Sequence, residues 1–80
     1  MTIEQLRQIH ANRPFLPFVL HLADGGKLPV RHPEVMAISP NNRIAVVFDD
    51  KGASHFVDVM LVSDVEVLPQ NGSNGRKRKK

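Results

Sequence analysis

The chain has 80 residues, with 11 Lys and Arg, 8 Asp and Glu, 4 His, 4 Phe and no Cys, Trp or Tyr. This length allows one small domain, and the lack of Cys excludes disulfides and thiolate metal sites. Arg76, Lys77, Arg78, Lys79 and Lys80 form an unbroken basic run, whereas residues 1–75 hold six basic and eight acidic residues, a net of −2, so a nucleic-acid reading attaches to the run and not to the body of the chain.

Thr2 is an N-cap residue with Gln5 three positions later, the pattern of a capping box. Ile3, Leu6, Ile9 and His10 follow at helical spacing, and Pro14 forces Arg13 out of the helical region. The spacing predicts a helix from Ile3 to Ala11 with Asn12 as its C-cap. Three turns do not persist alone, so the helix must pack on something.

Phe15 to Leu22 reads as a strand with Phe18, Leu20 and Leu22 on one face and Val19 and His21 on the other. Asp24-Gly25-Gly26 is a hairpin signal. Lys27 to His32 returns with Leu28 and Val30 inward, and Pro29 marks an edge or a bulge. Pro33-Glu34 turns the chain into a short strand, Val35 to Ser39, with Met36 and Ile38 on one face. Pro40-Asn41-Asn42 is turn chemistry.

Arg43 to Asp49 is the strongest strand, with Ile44, Val46 and Phe48 on one face and Ala45 and Val47 on the other. A turn at Asp50-Lys51-Gly52 leads into a strand from Ser54 to Val59. Met60-Leu61 is a corner, and Val62 to Leu68 closes the domain with Val65 and Val67 inward and Asp64 and Glu66 outward. Residues 69–80 read as a flexible linker and basic tail.

The fold class is therefore mainly β with one N-terminal helix: a small SH3-like barrel of five or six short antiparallel strands over residues 1–68. Closure of the sheet hides edges that would otherwise aggregate. A domain of roughly 60–70 residues is marginal alone and commonly gains stability by oligomerising. No stretch approaches the ~18 apolar residues of a membrane span, and Glu4, Gln5, Arg7 and Gln8 break any signal-like apolar run. A soluble, cytoplasmic protein is expected.

Leu22-Ala23-Asp24-Gly25-Gly26-Lys27-Leu28 resembles the first motif of the Sm-like (Hfq-like) family, and Leu61-Val62-Ser63-Asp64-Val65-Glu66-Val67 is similar to that family's closing strand. The run from Phe15 to Gly25 also resembles small uncharacterised bacterial proteins. The Sm-like resemblance implies a barrel that assembles into a ring. Val30 stands where the family has a glycine, and Val57-Asp58-Val59-Met60 stands where it has a basic or histidine signature. Asp58 would repel phosphate, so no RNA-pocket residue carries over.

The basic run Arg76, Lys77, Arg78, Lys79 and Lys80 is the candidate nucleic-acid contact. Five cations neutralise phosphates and release counterions without reading sequence. With no aromatic residue there, bases have nothing to stack on. The alternative is an inert, solubilising tail.

His10, His21, His32 and His55 have no metal-ligand spacing, so neither metal nor cofactor is expected. Ser54 and His55 are adjacent on a strand and diverge, which argues against a nucleophile and base, and no enzyme is expected. Phe18, Phe48 and Phe56 are assigned to the core, with Phe15 packed under the helix. That assignment leaves Val47, Val57 and Val59, with Val19 and Ala45, as the apolar second face, and hence the expected interface of a homo-oligomer. The sequence reading is a non-catalytic, self-assembling β-domain that holds RNA or DNA through its tail, or else a structural or protein-interaction module. No small-molecule substrate or membrane partner is evident.

Overall fold

The computed structural model describes residues 2–69. The expected linker from 70 onward and the basic run Arg76, Lys77, Arg78, Lys79 and Lys80 lie outside the described residues.

Helix α1 spans Ile3–Ala11. Its capping box is complete. The Gln5 N–H donates to Thr2 Oγ1 at 3.2 Å, and the Thr2 N–H donates to Gln5 Oε1 at 3.1 Å. Two donors that the helix leaves unsatisfied are thereby paired. Asn12 is the C-cap, its N–H reaching Ile9 O. Leu6 is the one fully buried residue of α1, with Ile3 and Ile9 packed beside it against the core.

Among the described residues six strands follow: β1 Phe18–Leu22, β2 Lys27–Val30, β3 Met36–Ile38, β4 Ile44–Phe48, β5 Ser54–Asp58 and β6 Val62–Val67. They form two three-stranded antiparallel sheets, ordered β2-β1-β6 and β3-β4-β5. The sheets are not closed into the expected barrel. The chain passes between them at two single-turn 3₁₀ segments, Pro33–Val35 and Val59–Leu61, which interrupt the ladders where closure would require continuous strands. Pro33 sits in the first and has no N–H to lend to a ladder.

The tight turns have the expected chemistry. Gly25 (φ 93°) and Gly52 (φ 88°) adopt the left-handed backbone that side chains disfavour. Asp24 Oδ1 accepts from the Gly26 N–H at 2.8 Å and ties the β1–β2 turn. Pro29 lies on an edge strand, as its missing N–H demands.

The core lies between the sheets and under α1. Leu6, Phe18, Leu20, Val30 and Ala45 are fully buried, with Met36, Val47, Val57 and Val62 nearly so. Phe15 and Phe18 meet with ring centroids 5.7 Å apart in a tilted arrangement.

The second sheet reverses the expected assignment. Ala45, Val47 and Val57 face the core, while Phe48 (48% exposed) and Phe56 (74%) face out. Val47 and Val57 are thus core residues and not the exposed apolar face expected of them. Val59 opens a 3₁₀ turn instead of ending a strand, and is half-buried against the core. Val67, expected inward, is exposed at 40% near the end of β6. Leu6, Phe18, Leu20 and Met36 share the buried cluster with Val47 and Val57, and a close-packed interior leaves little space for a further ring.

Candidate functional site

Two features of the surface carry chemistry, one polar and one apolar. The polar one is the β4–β5 turn. Asp49 Oδ1 accepts from the N–H groups of Lys51 and Ala53, each at 2.9 Å. Asp49 Oδ2 lies 2.9 Å from His55 Nε2. The hydrogen bond from His55, followed by that from the Ala53 N–H, holds the Asp49 carboxyl below its ordinary value of 3.8.

His55 thus serves the turn. It sits on the same side of β5 as Val57, and its partner is Asp49 and not Ser54. Asp58 is likewise structural: Oδ1 accepts from the Met60 N–H at 2.9 Å and caps the second 3₁₀ segment.

The other histidines are also engaged or solvated. His10 Nε2 donates to Pro33 O at 2.7 Å, tying α1 to the first 3₁₀ segment. His21 Nε2 meets Glu66 Oε1 at 3.0 Å across β1 and β6. His32 is exposed. Among the described residues, no three His, Cys, Asp or Glu side chains converge as a metal site, and no polar or charged residue is buried.

The apolar feature is larger. On the outer face of the β3-β4-β5 sheet, Val46 stands directly opposite Phe56, and Phe48 lies diagonally from it. Phe56 also lines an open depression of about 470 Å³ with Leu22, Ala23, Asp24, Val57, Asp58 and Leu61. Next to it in the chain, Met60 and Leu61 are exposed at 84% and 54%. These side chains lie on β5 and on the 3₁₀ segment that follows it, so one stretch of backbone presents them. Their exposure was not read from the sequence. The corner at Met60-Leu61 was visible there, and two large apolar residues at an exposed corner are the signal that could have found this patch.

A further link missed by sequence reading joins α1 to the β3–β4 turn. Arg7 Nε donates to Asn42 Oδ1 at 2.8 Å, and Arg7 Nη2 donates to Ser39 O at 3.1 Å. Asn42 (φ 63°) holds the left-handed conformation that Asn tolerates.

Among the described residues, no helix is long and apolar enough to cross a membrane. No family model, curated protein or solved structure matches this chain.

Proposed function

We propose that this protein is a non-catalytic interaction module that engages protein through the outer face of β5 and the corner that follows it. The observation that carries this reading is the exposure of Phe56, Met60 and Leu61, which places large apolar side chains where the fold gains nothing from them. The histidines that hold side-chain or backbone partners serve turns and inter-element ties, which argues against an enzyme. The test compares the wild type with Phe56→Ser/Met60→Ser by size-exclusion chromatography with light scattering, and by retention of lysate proteins. Association should be lost in the variant while its far-UV circular dichroism still reports the folded domain, the associated wild type melting higher only through linkage. A wild type that associates with nothing, or a variant that associates equally well, refutes the reading.

The charge partition favours a second element of function. With residues 1–75 at −2 and +5 concentrated in Arg76, Lys77, Arg78, Lys79 and Lys80, the run is the part of the chain suited to phosphate. Assembly of the domain would set several runs side by side and raise their effective concentration. Full engagement of five cations with single-stranded nucleic acid gives a log–log salt slope of about −3.5. Deleting residues 76–80 should abolish binding to a labelled oligonucleotide in fluorescence anisotropy. Affinity and salt slope that survive the deletion refute this element.

A further inference from the structure

The two sheets expose four edges, and three of them are blunted. On β2, the bond from the Leu22 N–H to Gly26 O (2.8 Å), with the β1–β2 register, turns Lys27 and Pro29 toward the free edge. Pro29 has no N–H to offer there. Strand β3 has three residues, too few to template a neighbour. Strand β6 carries Asp64 and Glu66, both exposed. Pairing β6 with itself about Val65 would set Asp64 against Glu66 of the second copy, and directly opposed like charges are destabilising.

Strand β5 has none of these devices. Ser54–Asp58 contains no proline and one charge, at its end. The bonds from the Val59 N–H to Arg43 O and from the Asp49 N–H to Ala53 O (2.9 Å each) bracket the β4–β5 ladder. With Ala45 opposite Val57 and Val47 opposite His55 between them, antiparallel alternation turns the backbone groups of Ser54, Phe56 and Asp58 to the open edge. An unblunted edge bearing a 74%-exposed Phe is what soluble proteins ordinarily avoid.

We infer that β5 is an assembly edge, pairing antiparallel with the β5 of a second copy about a two-fold axis at Phe56. This deepens the interaction reading above and rests on it. The occupant follows from charge and register. About that axis Phe56 faces Phe56 of the second copy, and Ser54 faces Asp58, so no like charges meet. Pairing β5 with the β6 of a neighbour would instead bring Asp58 onto the strand that carries Asp64 and Glu66. The product is one six-stranded sheet, β3-β4-β5 continued by its copy, with the two Phe56 rings side by side on its outer face.

The isologous axis makes residue 56 its own partner, and this gives the test. Sedimentation equilibrium of the full chain, up to about millimolar concentration, should show a monomer–dimer equilibrium. Phe56→Lys and Phe56→Glu should each self-associate at least tenfold more weakly, and an equimolar mixture of the two should recover the dimer as a heterodimer. Far-UV circular dichroism confirms that each variant is folded, and Phe56→Ser serves as the neutral comparison if either charged variant is not.

A wild-type ring or higher oligomer, or a mixture that stays monomeric while the wild type dimerises, overturns the two-fold pairing. A wild type that is monomeric throughout also overturns it. The interaction reading itself then stands only if that monomer retains a lysate protein that Phe56→Ser loses, and falls if it retains none.

Discussion

Replacing Leu6 with Ala tests how far α1 is docked through its one fully buried side chain. Leu6 is fully buried and touches the shared core, whereas Ile3 and Ile9 are half-buried at its margin. The cost of such a truncation depends on whether the site can collapse. Here α1 is tied from two sides, by Arg7 to Ser39 and Asn42 and by His10 to Pro33 O. The helix cannot sink freely to close the void, so the cost should be about 3 kcal/mol, within the range for buried Leu→Ala. For a domain of this size that corresponds to a Tm lowered by about 12–24 °C, most of the stability such a small core supplies. Far-UV circular dichroism during urea and thermal unfolding is the assay, since the chain has no Trp or Tyr for fluorescence. The exposed neighbour Gln8→Ala is the control and should change stability by less than about 0.5 kcal/mol. A Leu6→Ala loss below about 1 kcal/mol would show that α1 is not docked through this residue.

Thr2→Ala removes the acceptor for the Gln5 N–H and should cost about 1 kcal/mol in the same urea titration. Gly25→Ala meets no atom within 4 Å but must hold φ 93°, so it should cost about 1 kcal/mol from backbone strain alone. Asp49 has a lowered folded pKa, so its turn contributes stability fully above the ordinary value of 3.8 and loses it as pH falls through the lower folded value. The wild-type Tm should therefore drop more steeply than that of Asp49→Asn as pH is taken below about 4 in a series of thermal melts. Equal slopes would remove Asp49 from the account of acid sensitivity. Phe56→Ser should leave Tm of the monomer within the range of ordinary surface changes, about 0.5 kcal/mol, because Phe56 is 74% exposed.

The helix was legible because its signals are local: Thr2 and Gln5 sit three apart and Leu6 recurs with Ile3 and Ile9. The β1–β2 hairpin was legible for the same reason, Asp24-Gly25 needing no distant partner to turn the chain. Pro29 correctly pointed to an edge. The faces of β4 were not legible, because Ile44, Val46 and Phe48 and the intervening Ala45 and Val47 are all apolar, so period-two alternation fixes the partition but not its sign. Choosing the bulkier set for the interior follows a rule about averages, and it failed here at Phe48 and Phe56. The barrel expectation erred at Pro33–Val35 and Val59–Leu61, where 3₁₀ turns take residues that a continuous ladder would need. The tie from Arg7 to Asn42 spans 35 positions, and no local pattern announces a hydrogen bond of that kind.

The inverted faces of β4 and β5 follow from packing. The β2-β1-β6 sheet and α1 bring Phe18, Leu20 and Leu6 into the core cluster, where Met36, Val47 and Val57 of the other sheet join them, and Ala45 is fully buried. Protein interiors are close-packed, so a position filled by Ala or Val leaves little space for a ring. Turning β4 and β5 over would bring Phe48 and Phe56 to positions now filled by Ala45, Val47 and Val57, and volume added to a packed core forces off-rotamer side chains and backbone shifts. The phenylalanines are therefore outside because the interior is already full. On the outer face the fold requires nothing of Phe56: Ser or Thr would satisfy β5 there equally well. Among the described residues, β5 is the edge without proline, brevity or repulsive charge, and the pairing proposed above would use its backbone and its exposed ring together.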